Sequence, residues 1–363
     1  MFSATTQIAA VGLSLLSVAA LLPAQDAPPL PLSGSPSQLA ADHVSAAGTL
    51  TTTPPDLAAS AKSATTPGPT TAFLRLQSSD GGPKSLDTAV VTYRTTAATG
   101  VEVDLIGAVH IGEPRYYQEL NRLFDSYDVL LYELVAPEGT VIPRGGKREG
   151  SGHPIAMLQN TAKDMLGLDS QLETIDYTKS HFVRADMTPQ QMADKMSERG
   201  DTALTIALST LSDIWRQQNL AREQGSEAQA NLEDLSLFDV VGNPLKMKQV
   251  LAQQFASSGS LDHALGGALN QLLIVDRNAE ALRQLQKEIA AGKKKIGIFY
   301  GAAHLPDLEK HLIADFGLQK VAAERMPGGA NPRWLVAWDL TTAKTTPLSE
   351  PASLLLELLK ALD

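Results

Sequence analysis

The chain has 363 residues, with 30 Lys and Arg against 40 Asp and Glu, for a formal net charge of −10. That acidic balance argues against a general nucleic-acid binder, which would carry a basic face. The absence of cysteine excludes a disulfide framework, thiol catalysis and a lipid anchor on cysteine, so the fold must rest on its hydrophobic core.

The N-terminus reads as an export signal. An apolar stretch from Ile8 to Leu22 precedes Pro23-Ala24-Gln25, which gives the apolar centre and small-residue end of a secretory signal peptide. Its first segment lacks Lys and Arg, and it is short for a membrane span of about 20 residues. Cleavage near Ala24 or Gln25 is favoured over retention as an anchor. The expected mature protein is secreted or periplasmic, with no membrane span. Residues 26–71 are rich in Pro, Ala, Ser and Thr, with too few large apolar side chains to offset chain entropy, and read as disordered linker. An ordered domain is expected over 72–342. In the tail, 343–363, an amphipathic helix over Leu354–Leu359 could dock on the domain or on a second copy of the chain, giving a homo-oligomer.

Within the domain, order should begin near Ala72–Leu76. Thr88–Thr95 and Val101–Ile106 read as a hairpin, and the second strand runs into Gly107-Ala108-Val109-His110. Pro114 suits a first helical turn, and Tyr117, Leu120, Phe124 and Tyr127 follow at helical spacing. Asp128–Val135 is a buried parallel-type strand with a carboxylate, Glu133, late in its apolar run. This makes a βαβ unit. A polar loop over 136–152 is a connector or a flap. Residues 154–292 are mostly helical, with patterns over 188–220, 244–257 and 261–290. A short extended piece, Ser180–Met187, precedes a Thr188-Pro189 helix start. Ile296–Tyr300 then runs into Gly301-Ala302-Ala303-His304. Leu308, Leu312 and Phe316 mark a helix ended by Gly317, and Val321–Arg325 with Trp334–Asp339 read as a closing hairpin around Pro327-Gly328-Gly329. The class is therefore α/β, with a long helical insertion between two halves of a sheet.

The repeated Gly-x-x-His carries the chemistry. Residues at the carboxyl ends of buried strands face the crevice where α/β sheets bind ligands. The glycine allows a sharp turn, and the helix that follows offers free amide groups and a positive dipole end. Two imidazoles and a carboxylate, His110, His304 and Glu133, suit Zn, Mn, Co or Fe(II), which would activate a bound water. The plainer reading makes each histidine a hydrogen-bonded structural residue and pairs Glu133 with Arg277, because buried charges are rarely left unpaired. Arg277 sits in Ile274-Val275-Asp276-Arg277-Asn278, a polar spot in an apolar stretch, as a structural salt bridge or a substrate clamp. Of the pair His181 and Asp186, Asp186 is the better site candidate. His153, His263 and His311 read as peripheral, and Lys293-Lys294-Lys295 as a solvated strand entrance. There is no Gly-x-Ser-x-Gly elbow, Walker loop, dinucleotide fingerprint or His-Glu-x-x-His helix.

Gly107–His110, the Glu in Tyr132-Glu133-Leu134, the pair Arg277-Asn278 and Gly301–His304 together resemble the TraB/PrgY/GumN family, which includes the Tiki proteases. The resemblance spans roughly Thr88–Leu340. It implies a mixed sheet flanked by helices, related to erythromycin esterase and the haem-binding ChaN proteins. It also implies metal-dependent peptidase activity with His110, His304 and Glu133 essential and holding a divalent Zn, Mn or Co. Arg277 would then be catalytic, and Arg277 and Asn278 would hold substrate or a developing oxyanion; Asp186, from its place in the extended segment, is a further substrate-binding candidate. The expected function is an exported metal-dependent hydrolase acting on a peptide or small molecule. Two alternatives stay open: a metal-free, esterase-like hydrolase with a histidine base, and a protein that captures a peptide without cutting it.

Overall fold

The computed structural model describes residues 72–95, 100–146, 166–201, 243–257 and 270–342. The expected signal peptide, linker and C-terminal helix, together with His153 and His263, lie outside the described residues.

The sheet is built on one long strand. β1 (Leu74–Ser79) leads into β2 (Gly82–Thr95), which β3 (Glu102–Ala108) follows. Thr88 of β2 pairs with Leu74 on one edge and Leu335 on the other, and Tyr93 pairs with Val103 and Lys320. Two strands therefore share each edge of β2. β1 and β3 lie along one, and β9 (Leu318–Lys320) and β10 (Arg333–Asp339) along the other. All four run antiparallel to β2. This corrects the expected closing hairpin: its two arms do not pair with each other. Residues Ala323–Arg325 form a 3₁₀ turn, and each flanking strand pairs with β2 instead.

Beyond β3 the sheet turns parallel. β8 (Lys295–Gly301) lies between β3 and β5 (Val129–Tyr132), and β7 (Phe182–Arg184) follows β5. A two-residue ladder pairs β4 (Ile111–Gly112) with β6 (Asp169–Ser170). The helix joining β3 to β5, α1 (Pro114–Phe124), thus crosses over β8, which arrives later in the chain than either. The architecture is an α/β mixed sheet of eight strands flanked by helices.

Both faces of the parallel half are buried, which is why its strands read as continuous apolar runs. Side chains alternate between two cores with the period of two that a strand imposes. Ile106, Leu130 and Phe299 join Tyr117, Leu120 and Phe124 of α1 and Met247 and Leu251 of α4 (Pro244–Ser257). Leu105, Leu131 and Ile298 join Ala281 and Leu285 of α5 (Asp276–Ala290) and Leu308 and Leu312 of α6 (Leu305–Ala314). Short α2 (Gln171–Thr174) follows β6.

The helical insertion departs from its expected bounds in two places. α3 (Pro189–Arg199) starts on a full capping box at Thr188 but stops at Gly200, which takes a left-handed φ of 70°. The 188–220 pattern is therefore not one helix. α5 is preceded by a π-helical turn, Gln271–Val275. Tyr127, expected on α1, lies past its end, where its hydroxyl donates to Asp104 Oδ2 at 2.6 Å. Among the described residues no helix is long and apolar enough to cross a membrane.

Candidate active site

Insertion of β8 between β3 and β5 sets three chain ends side by side. In register, Ala108 faces Gly301 and Tyr132 faces Phe299. The Glu133 amide continues the β5 ladder, donating to the Phe299 carbonyl at 3.2 Å. The turns carrying His110 and His304 therefore leave neighbouring parallel strands, with Glu133 leaving the strand on the far side of β8. Asp186 follows β7, one strand further, and Arg277 and Asn278 arrive from the first turn of α5.

The motif glycines do not serve the purpose expected of them. Neither Gly107 nor Gly301 has a positive φ, so no unusual turn conformation is being relieved. Both allow close approach instead. A Cβ at Gly301 would stand 3.2 Å from Glu133 Oε2, and one at Gly107 would stand 3.3 Å from the carbonyls of Ala89 and Phe73. Gly301 donates its amide to Glu133 Oε2 at 2.6 Å, and the chain turns from there through Ala302–His304 into α6. A carboxylate at the start of a helical segment is the arrangement the dipole favours. After His110 there is no such arrangement, because β4 intervenes before α1.

Arg277 is the hub of the site. It is only 2% exposed, and its five N–H donors can be followed one by one. Nε donates to Asp186 Oδ1 at 2.9 Å, and Nη2 donates to Asp186 Oδ2 at 2.7 Å and to Glu133 Oε1 at 2.6 Å. Nη1 donates to the Leu273 carbonyl at 3.2 Å and faces His304 Nε2 at 3.5 Å. Four donors are spent on fixed partners and the fifth faces an imidazole. The guanidinium bridges two carboxylates, as the salt-bridge reading of Arg277 expects. The π turn just upstream supplies the Leu273 carbonyl that pins it.

His304 is equally constrained. Asn278 Nδ2 donates to the His304 carbonyl at 3.1 Å and to Asp307 Oδ2 at 2.9 Å, which leaves Asn278 Oδ1 to accept from His304 Nδ1–H at 2.8 Å. His304 Nε2 then faces Glu133 Oε1 at 3.4 Å. Tyr300 lies edge-on to the ring, 5.1 Å between centroids, and donates its hydroxyl to the Ala185 carbonyl. Asn278 is thus a positioning residue for His304.

Glu133 is buried, and burial alone would favour its neutral form. The charges of Arg277, His304 and His110 outweigh that and hold its carboxyl well below the usual carboxylate range. Arg277 is disfavoured by burial too, but Asp186 and Glu133 reverse this and raise it further.

His110 is half-buried, the most open of the site groups. Its carbonyl accepts from the Gln171 amide at 2.8 Å, because the β4–β6 ladder clamps Ser170 opposite Ile111. Gln171 Nε2 donates to the Tyr177 hydroxyl at 2.8 Å, and the Tyr177 ring packs on Tyr132, 4.9 Å between centroids.

A divalent ion is the cofactor the family resemblance implies. His304 Nε2 and Glu133 Oε1, 3.4 Å apart, are spaced as two ligands of one tetrahedral ion would be at bonds of about 2.0–2.2 Å. The rest of the donor set does not fit. Glu133 already accepts at both oxygens, and the side facing His304 Nε2 is taken up by the Arg277 cation. Among the described residues no group of three His, Cys, Asp or Glu side chains is placed to share an ion.

Of the residues singled out in the sequence, the fold gathers Glu133, Asp186, Arg277, Asn278 and His304 into one hydrogen-bonded network, with His110 within electrostatic reach of Glu133. His181 is a structural residue whose Nε2 contacts the Phe124 carbonyl at 3.0 Å, and His311 pairs with Asp315 on an exposed face. Gln171, Tyr177 and Tyr300 were not singled out. The first two lie in and just after the one-turn helix α2, too short for periodicity to mark them. No family model, curated protein or solved structure matches the chain.

Proposed function

We propose that the chain is a hydrolase of acyl compounds, related to the TraB/PrgY/GumN proteins, in which His110 is the imidazole that meets substrate. The observation that carries this reading is the buried Glu133–Arg277–Asp186 network beside His304, whose positive member is a side chain with its donors already committed. Two buried carboxylates share one guanidinium, and the negative charge of one of them, Glu133, reaches His110. That charge suits a general base, because it stabilises the imidazolium formed when the base takes a proton. His110 removes a proton from water, the water oxygen bonds to the acyl carbon, and the bond to the leaving oxygen or nitrogen breaks. The leaving group then takes the proton from the imidazolium. His304, held at Nδ1 by Asn278, keeps the second imidazole fixed next to Glu133.

The metal-dependent reading is the second, favoured by the 3.4 Å spacing of His304 Nε2 and Glu133 Oε1. Turnover of activated acyl esters and a mixed peptide library, measured with and without chelator and accompanied by metal analysis of the purified protein, separates the two. We expect turnover that survives chelation and disappears in His110→Ala. Activity lost to chelator and restored by Zn, Mn or Co would support the metal reading instead. Binding of library peptides without turnover at any metal loading would favour the capture reading.

A further inference from the structure

The polar wall beside His110 carries two unspent hydrogen-bonding groups. Gln171 is 4% exposed, and its Oε1 has no hydrogen-bond partner among the described residues. The Tyr177 oxygen accepts from Gln171 Nε2, yet the Tyr177 hydroxyl hydrogen meets no acceptor among the described residues. Buried polar groups are normally paired, so an adjacent donor and acceptor left open together call for an explanation. Their position supplies one. Gln171 is tied to the His110 carbonyl through its own amide, so the wall moves with that turn. The Tyr177 ring lies against Tyr132, the residue before Glu133. Burial, with Tyr132 and Glu133 adding to it, raises the Tyr177 phenol above its ordinary value, so it keeps its proton as a donor.

Resting on the hydrolase reading above, we propose that the Tyr177 hydroxyl, aimed by Gln171, donates the hydrogen bond that stabilises the acyl oxygen as it becomes an oxyanion. Water attack at the acyl carbon moves the carbonyl π pair onto oxygen. Tyr177 O–H shares its proton with that oxygen, and the pair returns as the leaving group departs, so Tyr177 ends as it began. The donor requirement restricts substrates to those presenting a carbonyl oxygen, namely esters and amides. The acceptor left on Gln171 favours those with an N–H beside it.

The test compares wild type, Tyr177→Phe, Gln171→Leu and His110→Ala on one activated acyl ester and one peptide amide, with thermal melting of each. Tyr177→Phe keeps the ring on Tyr132 and removes only the hydroxyl. Loss of one oxyanion donor should lower kcat by about 10²-fold with little change in KM, and Gln171→Leu should lower it less. A merely structural Tyr177 would move the melting temperature without splitting kcat from KM. A kcat within about threefold of wild type in folded Tyr177→Phe, or in Gln171→Leu should Tyr177→Phe not fold, overturns this assignment. If His110→Ala is dead in that case, the hydrolase reading survives. Absence of turnover in the wild type overturns both.

Discussion

The two Gly-x-x-His turns share a motif, leave neighbouring parallel strands, and are held by different means. In the first, the protein grips the backbone. The carbonyls of Gly107, Val109 and Ile111 accept from Tyr116, Tyr117 and Trp338, and that of His110 from the Gln171 amide, while the imidazole stays half-buried. In the second, the protein grips the imidazole. Asn278 holds Nδ1, Glu133 and Arg277 face Nε2, and the ring is buried. A local motif therefore specifies where a histidine stands, and the surrounding charges specify what it does. One turn leaves its ring half-buried, and the other buries it.

Arg277→Met tests this asymmetry most severely. Removing the guanidinium leaves Glu133 and Asp186 buried without a counter-charge, which should cost about 3–5 kcal/mol in denaturant unfolding. A loss under about 1 kcal/mol would mean that the network is not holding the second turn. The histidines should then separate. His304→Ala abandons a buried hydrogen bond and leaves a cavity, for a loss of about 2 kcal/mol. His110→Ala removes a half-buried side chain and should cost under about 1 kcal/mol. Equal losses would erase the distinction.

The pH dependence of stability offers a finer test. The Glu133 pKa in the folded state lies well below its ordinary 4.5. Its contribution is therefore complete above that value and is lost as pH falls from it toward the depressed folded pKa. Glu133→Gln should lack this part of the acid limb in unfolding titrations, and an unchanged limb would show that Glu133 does not carry it. The smallest effect is expected far from the turns. Asp104 is pushed above its ordinary 3.8 by burial, against hydrogen bonds from Thr92 and Tyr127, and its Oδ1 has no partner among the described residues. Its contribution is present below 3.8 and is lost as pH rises through the folded value. Asp104→Asn should therefore be as stable as wild type at pH 7, or more stable by up to about 1 kcal/mol. A clear loss there would assign Asp104 a charged partner.

The same asymmetry explains what could be read from the sequence. Strand and helix periodicity marked β2, β3, β5, β8, α1, α4 and α6, because burial on one or both faces writes itself into the pattern. The pairing of Glu133 with Arg277 was also legible, since two lone charges in apolar runs need each other. What periodicity could not supply was strand order. Nothing local says that β8 slips between β3 and β5, or that β9 and β10 share an edge of β2 rather than each other. The role of Gly301 was hidden for a similar reason. A turn requirement is local, but room for the Glu133 carboxylate depends on a strand 168 positions away in the chain. Gln171 is brought to the His110 turn by the two-residue β4–β6 ladder, too short to leave a pattern.

The most direct measurement of the claim that His110 meets substrate while His304 supports it is the rate at which each imidazole reacts with an acylating reagent such as diethyl pyrocarbonate, followed residue by residue by mass spectrometry alongside turnover. The account predicts rapid modification of His110, protection of His304, and loss of activity in step with His110. Modification of His304 as fast as His110, or full activity with His110 modified, would contradict it.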